Sequence, residues 1–271
     1  MTYQQLYAVL TYRMPSEFEA RQLFSFVTGF ESHDLSIVRS VAVPSDQSLR
    51  CEKLLSRRLS GEPLQYLLEE WEFYSLPMYV GEGVLIPRAD TELLVDTALE
   101  LARSFEGAEI LDLCSGSGCV AIAIAKNLPG AKITALELSE SAAGYMRRNI
   151  ERNNVEVSAV LGDVFDYEHP AGINIITANP PYIAENEFAE LEPELSHEPR
   201  MALSGGEDGL DFYRAIAKRY KPQLMPGGYI CFEVGLGQSE VVYGILSQNG
   251  FEGIEVRADL RGIERVVIGR V

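Results

Sequence analysis

The chain has 271 residues, of which 46% are hydrophobic and 23% charged, and a formal net charge of −17. This length suits one large domain or a domain with a smaller companion, and the composition is that of a globular protein. No apolar run approaches the roughly 20 residues that span a bilayer. The first residues, Met1-Thr2-Tyr3-Gln4-Gln5, carry no basic stretch leading into an apolar core, so no signal peptide is expected. The acidic balance argues against sequence-independent binding to phosphate backbones, which needs clustered Lys and Arg. A basic protein partner stays open. Cys51, Cys114, Cys119 and Cys231 form no CxxC pair and read as reduced thiols of a cytoplasmic protein. His33, His169 and His197 are scattered without metal-ligand spacing, so no metal site is expected.

Residues 2–60 alternate short amphipathic segments with breakers. Leu6, Val9 and Leu10 share one helical face. A second helix starts near Pro15-Ser16-Glu17 and offers Phe18, Leu23, Phe24 and Phe26 before Gly29. A third runs from about Ser45 to Leu59, with Leu49, Leu54, Leu55 and Leu59 on one side and Gly61 as its stop. Over residues 71–86 the period shortens: Phe73, Leu76, Met78, Val80, Val84 and Ile86 are interleaved with Gly81 and Gly83, which reads as a β-hairpin or a pair of short strands.

From about residue 90 the pattern is strand–helix–strand. A helix from Asp90 or Thr91 carries Leu93, Leu94, Ala98, Leu99 and Leu101. Apolar strands follow at 109–113, 132–136, 157–160, 173–178 and 229–234, with helices at about 118–128, 139–152 and 210–221. Two more strands lie near 251–256 and 263–268. Such alternation predicts an α/β fold, a largely parallel, doubly wound sheet with right-handed crossovers. Seven strands ending in a hairpin-like pair fit a Rossmann-like methyltransferase better than a six-stranded dehydrogenase.

Asp112-Leu113-Cys114-Ser115-Gly116-Ser117-Gly118 leaves the first strand of this region and opens a helix. Gly116 and Gly118 let backbone approach a ligand. Ala121 stands where a dinucleotide fingerprint has its third glycine, and no G-x-x-x-x-G-K-[ST] occurs. Glu137 ends the second strand, where a carboxylate accepts both hydroxyls of a ribose. It is equally placed to serve the next helix N-terminus. Asp163 ends the third strand and is placed to accept an adenine amine, with Val164 or Phe165 against the ring. A glycine turn and two acids outline an adenosine without a pyrophosphate, which points to S-adenosylmethionine. Asp112 sits near its methionine end or orders the glycine turn.

Ile175-Ile176-Thr177-Ala178-Asn179-Pro180-Pro181-Tyr182 is an apolar strand cut off by an amide and two prolines. The prolines lack the N–H a ladder needs. In open α/β sheets the carboxyl edge of the strands is where ligands bind. An amide or aromatic amine nitrogen is a poor nucleophile because its lone pair is delocalised. Two acceptors on its two N–H groups favour the pyramidal form that attacks a sulfonium methyl. The Asn179 side-chain oxygen and the Pro180 carbonyl provide them, Pro181 stiffens the turn, and Tyr182 packs on the flat target. The motif alone does not choose between adenine N6, cytosine N4 and a glutamine side chain. No basic, aromatic-interleaved patch or base-flipping domain is evident. Glu185, Glu187, Glu190, Glu192, Glu194 and Glu198 form either a solvated loop or a face for a basic protein.

Further stretches resemble the bacterial release factor glutamine-N5 methyltransferase family along nearly the whole chain. These are Gly61 to Tyr66, Val84 to Glu92 (Val-Leu-Ile-Pro-Arg-Ala-Asp-Thr-Glu), Asp112 to Gly118, and Asn179 to Ile183. Glu198-Pro199, Ala202-Leu203, Gly205 to Leu210, Pro226 to Gly228 and Asp259 to Arg265 also fit. The chain departs from the family pattern at Glu69 and Cys114, where the family has glycine, at Ala89, where it has proline, and at Ser115, where it has threonine.

The resemblance implies an S-adenosylmethionine-dependent enzyme that yields S-adenosylhomocysteine and methylates the glutamine of a Gly-Gly-Gln motif in class-1 peptide chain release factors. An adenine-N6 methyltransferase acting on DNA or RNA is the alternative. Three parts are expected: a helical substrate-docking domain over 1–70, a β-hairpin linker over 71–88 and a methyltransferase domain over 89–271. Asn179, Pro180 and Tyr182 are the expected catalytic residues. Asp112, Cys114, Gly116, Gly118, Glu137, Asp163, Val164 and Asn179 are expected around the donor. Pro181, Arg88 and Thr91 are expected to line the acceptor pocket. Stable nucleic-acid binding and membrane association are not expected.

Overall fold

A computed structural model describes every residue except 171. Its contacts divide the chain into two compact units, Met1–Glu70 with Glu192–His197, and Trp71–Leu191 with Glu198–Val271.

The first unit holds α1 (Tyr3–Arg13), α2 (Glu17–Thr28), α3 (Leu35–Val38), α4 (Ser45–Leu59) and α5 (Leu64–Leu68). Thr2 and Ser16 cap α1 and α2 by accepting the Gln5 and Glu19 amides. The buried faces are Tyr3, Leu6 and Leu10 on α1, Ala20, Leu23, Phe24 and Val27 on α2, and Cys51, Leu54 and Leu55 on α4. Phe18, Val9, Leu49 and Leu59 face solvent instead, and Phe26 is half-buried. Each lies off the 3.6-residue stripe that its buried neighbours define. Arg58, also buried, pairs with Glu19 at 2.5 Å and Glu194 at 2.6 Å.

α5 ends on Glu69 at φ 59°, the left-handed conformation that caps many helices. The family's glycine has no Cβ there, so this departure places an L side chain where one is strained.

The second unit opens with a hairpin, β1 (Glu70–Phe73) and β2 (Leu76–Tyr79). Its turn residues Tyr74 and Ser75 both have positive φ, as a two-residue hairpin turn of right-handed twist requires. The predicted hairpin over 71–86 is therefore shorter; residues 80–88 form no regular strand. A seven-stranded sheet follows, in the order β5 (Ser158–Leu161), β4 (Lys132–Glu137), β3 (Glu109–Leu113), β6 (Ile173–Ala178), β7 (Leu224–Glu233), β9 (Glu264–Arg270), β8 (Glu252–Ala258). The pairs among β3 to β7 are parallel, and β9 inserts antiparallel between β7 and β8. This is the seven-stranded methyltransferase fold.

Helices cover both faces. α6 (Glu92–Ala102), α7 (Cys119–Asn127) and α8 (Glu140–Asn153) enclose one core with Ile110, Ile175 and Cys231. α9 (Asp211–Tyr220) and α10 (Ser239–Gln248) enclose the other with Leu111, Ile176 and Phe232. Alternate residues of each strand thus serve opposite layers, and every side chain at a strand end has a face fixed by its parity.

Glu69→Gly removes a left-handed L residue from an exposed turn. It is expected to raise unfolding free energy by about 1 kcal/mol, read from the urea midpoint at unchanged slope.

Candidate active site

The donor side forms at the carboxyl ends of β3, β4 and β5. Asp112 and Thr177 are register partners on neighbouring parallel strands, so their side chains share a face. Asp112 Oδ1 accepts the Thr177 hydroxyl at 2.7 Å, and Oδ2 accepts the Ser115 hydroxyl at 2.7 Å. Asp112 therefore orders the glycine turn, and it also reaches the cavity wall. Burial pushes its carboxyl up to about 6 against the pull of those hydroxyls.

Gly118, at φ 79°, starts α7; a Cβ there would lie 2.8 Å from Met146 Cγ. Cys114 has φ 56°, so the second departure from the family's glycines is also left-handed. Its thiol is pushed well above the ordinary value by burial, with Glu137, Asp112 and Asp163 adding repulsion, and stays protonated.

Glu137 accepts the Gly116 amide at 2.8 Å with one oxygen and the Ser139 amide at 2.7 Å with the other. The helix-terminus role is the one formed here, and each carboxylate oxygen keeps a second lone-pair direction that a ribose hydroxyl fits. Asp163 Oδ1 accepts the Phe165 amide at 2.8 Å, which turns the carboxylate toward the cavity that Val164 also lines. Phe165 is not on that wall; it packs on Phe212, which is, with ring centroids 5.1 Å apart. Among the described residues lining the cavity, Arg88 is the single basic side chain, and it is tied to Glu198. A pyrophosphate has no counter-charge here, whereas an adenosine finds two carboxylates and an apolar wall. The residues fit S-adenosylmethionine.

The acceptor side forms where β6 stops. Asn179 and Pro181 line the same cavity; Pro180 is buried and Tyr182 half-buried, and neither is on its wall. The Tyr182 ring lies against Gly235, and its carbonyl accepts Gln238 Nε2 at 2.9 Å. Asn179 Nδ2 donates to Thr91 Oγ1 at 3.2 Å. Among the described residues, neither Asn179 Oδ1 nor the Pro180 carbonyl has a hydrogen-bond partner, so both remain acceptors.

Three family stretches hold this turn. The Ile183 amide donates to the Leu203 carbonyl and the Gly205 amide to the Ile183 carbonyl, both at 2.9 Å. At Gly209, φ 76°, a Cβ would stand 2.3 Å from the Tyr182 carbonyl oxygen, so only glycine lets this loop close on the motif. Glu198 is buried; it accepts the Ile86 amide at 3.0 Å and pairs with Arg88. Asp90 receives Arg261 at 2.8 Å and Arg265 at 2.7 Å from the C-terminal stretch, which fixes the 3-10 turn Ala89–Thr91. Ala89 occupies the first position of that turn, where the family's proline is preorganised.

The acidic loop is less free than its composition suggests. Glu185 pairs with Arg200 at 2.5 Å, Glu194 with Arg58, and Glu198 with Arg88.

Sequence reasoning passed over Glu233, the last residue of β7. It is 3% exposed. Thr91 and Asn179 stand beside its carboxyl and favour the charged form, while its Oε2 has no partner. Burial pushes its carboxyl up to about 7 despite Thr91, Arg265 and Asn179. The available signal was an acid closing an apolar strand, the same pattern that marked Glu137.

Residues 8–68 match the PrmC N-terminal domain and residues 89–207 the Methyltransferase small domain. The release factor glutamine methyltransferase of Thermodesulfovibrio yellowstonii is 42% identical over 254 residues, covering 92% of this chain and 91% of that protein. The corresponding protein of Geobacter sulfurreducens is 40% identical, covering 93% and 89%. The chain belongs to the release factor glutamine methyltransferase family.

As a member, it is an S-adenosylmethionine-dependent methyltransferase. The hMettl16 catalytic domain, solved in complex with MAT2A 3'UTR hairpin 6, shares the fold with a TM-score of 0.59 and 14% identity, covering 83% of this chain and 81% of that one. The family and that RNA-bound domain share one sheet, so substrate choice lies in the residues around it. No helix among the described residues is long and apolar enough to cross a membrane.

Asp112 and Glu233 make stability pH-dependent. A carboxyl whose folded value is raised favours the folded state fully below its unfolded value of about 4. That contribution fades as pH rises through 6 and 7. Relative to wild type, Glu233→Gln is therefore expected to gain stability between acidic and mildly alkaline pH, measured as the change in unfolding midpoint. A gap independent of pH contradicts the assignment.

Proposed function

We propose that this enzyme methylates the side-chain amide nitrogen, N5, of the glutamine in the Gly-Gly-Gln motif of class-1 peptide chain release factors in the cytoplasm. The observation that carries this reading is the pair of unpartnered acceptors, Asn179 Oδ1 and the Pro180 carbonyl, beside a donor cavity. They stand in a chain 42% identical, over nearly its full length, to a release factor glutamine methyltransferase.

S-adenosylmethionine, when bound, supplies a methyl group on a sulfonium sulfur that leaves as the neutral thioether of S-adenosylhomocysteine. Glu137 and Asp163 would hold the ribose and adenine ends, with Val164 beside the ring. Asp112 keeps the glycine turn in shape through Ser115. Cys114, Gly116 and Gly118 bring backbone to the donor.

Asn179 Oδ1 and the Pro180 carbonyl each accept one N–H of the glutamine amide. The nitrogen pyramidalises, its lone pair forms the new N–C bond, and one N–H proton passes to water. Preorganised acceptors act where the charge develops, so no strong base is required before the displacement. Pro181 holds the turn rigid. Tyr182 supports it from behind through Gly235 and Gln238, which replaces direct stacking on the target as its main part. Arg88 and Thr91 shape the acceptor wall. The helical unit over 1–70 helps dock the release factor, the 71–88 segment links it, and 89–271 performs the transfer.

The net charge of −17 disfavours a phosphate backbone as partner, which supports the protein substrate over nucleic acid. Purified enzyme with labelled S-adenosylmethionine is expected to label unmodified release factor at the Gly-Gly-Gln glutamine and to leave duplex DNA unlabelled. Label on DNA with none on that glutamine would overturn the reading in favour of adenine N6. In the same assay Asn179→Ala should lose about 10²-fold or more in kcat, as losing one preorganised polar group does, with donor affinity comparatively intact.

A further inference from the structure

The transfer as described gives Glu233 no part, yet strand register brings it to the motif. On β6 and β7, Thr177 pairs with Cys231 and Ala178 with Phe232. One step further, Asn179 stands opposite Glu233. Both have the parity of Thr177 and Cys231, so both turn to the α6 side of the sheet, where Thr91 begins that helix. α6 packs on β6 and β7. Glu233 lies behind the cavity wall, 3% exposed.

A carboxamide works as an acceptor clamp in one orientation only. Flipped, it presents N–H to the N–H of the target. Thr91 Oγ1 cannot choose between the ends, because a hydroxyl both donates and accepts. An ionised carboxylate accepts only, so it selects Nδ2. We propose that Glu233 is a positioning residue which, with Thr91, holds the Asn179 carboxamide with Nδ2 inward and Oδ1 toward the acceptor, and that protonation of Glu233 releases this hold. The inference rests on the reading of Asn179 as the acceptor clamp.

Protonation turns Glu233 from acceptor to donor. Its new O–H pairs with Asn179 Oδ1, and the amide flips its N–H toward the pocket. The charged and titratable groups around it come from every packed element. Asp90, on the 3-10 turn before α6, is paired with Arg261 and Arg265. Arg265 lies on β9, next to the register partner of Glu233. Tyr182 follows β6, Cys119 opens α7, and Tyr213 on α9 donates to the Glu233 carbonyl at 2.9 Å. Tyr182 and Cys119 are pushed up to about 12 by burial and stay neutral, and burial pushes Tyr213 well above its ordinary value. Glu233, pushed to about 7, is the member of this group that changes charge near neutrality. Asp112, also buried, is pushed up to about 6 on the donor side, and the buried Glu198 is paired with Arg88.

The test measures kcat, KM for unmodified release factor and the dissociation constant for S-adenosylmethionine from about pH 5.5 to 8.5, where such a group would titrate. The full-length wild type is compared with Glu233→Gln and Glu233→Met. Wild-type kcat should rise with pH through a limb near neutrality. E233Q keeps an acceptor that does not titrate, so it should lose that limb. E233M should lower kcat by about 10- to 100-fold, and in both variants KM and donor affinity should stay within about threefold. The inference is overturned if E233Q keeps the wild-type limb, if the wild type has none, or if the variants change KM while sparing kcat. Should E233M fail to fold, the E233Q profile decides. A wild type that leaves the Gly-Gly-Gln glutamine unmethylated would instead defeat the function itself, a separate outcome.

Discussion

The structure depends on where β6 stops. A hydrogen-bonded strand carries the chain to Asn179, and two prolines forbid the next rung. The last amide side chain is therefore delivered to the carboxyl edge of the sheet at a fixed height and on a fixed face. Every neighbouring element serves that placement. β3 sets Asp112 and the glycine turn beside it, α6 sets Thr91 against it, and β7 sets Glu233 behind it.

Holding this arrangement costs stability. Two carboxylates are buried where desolvation raises both, and one oxygen of Glu233 has no partner. Cys114 adds a left-handed L residue on the donor turn. Apart from Glu69 at the end of α5, the surrounding scaffold is ordinary: apolar strands, two covered faces and ion pairs on the loops. The C-terminal stretch illustrates the compensation. Arg261 and Arg265 come from a loop and an inserted strand far along the sequence, and they clamp Asp90 one residue before Thr91.

Much of this was legible in the chain. Strand positions from residue 109 onward and the helices α7, α8 and α9 follow from period and length, whereas α10 was not read; the donor turn and its two acids follow from position after each strand. The helical faces of the first unit were read too broadly, because Phe18 and Leu49 are apolar yet off the buried stripe. The insertion of β9 between β7 and β8 leaves no local mark, since antiparallel order is settled by sheet edges that meet only on folding. Tyr182 read as a stacking face for the target, and the structure turns it toward Gly235. Glu233 was the reachable omission. Tyr229 to Val234 alternates, so Glu233 shares a face with Cys231, but only the β6–β7 register shows that Asn179 lies opposite.

If that juxtaposition governs the reaction, Asn179 and Glu233 act as one unit. A double-mutant cycle on kcat measures this directly. With Asn179→Ala already present, adding Glu233→Met should cost little further turnover, far less than the same change costs the wild type. Losses that simply multiply would show that the two residues act independently and would contradict the account.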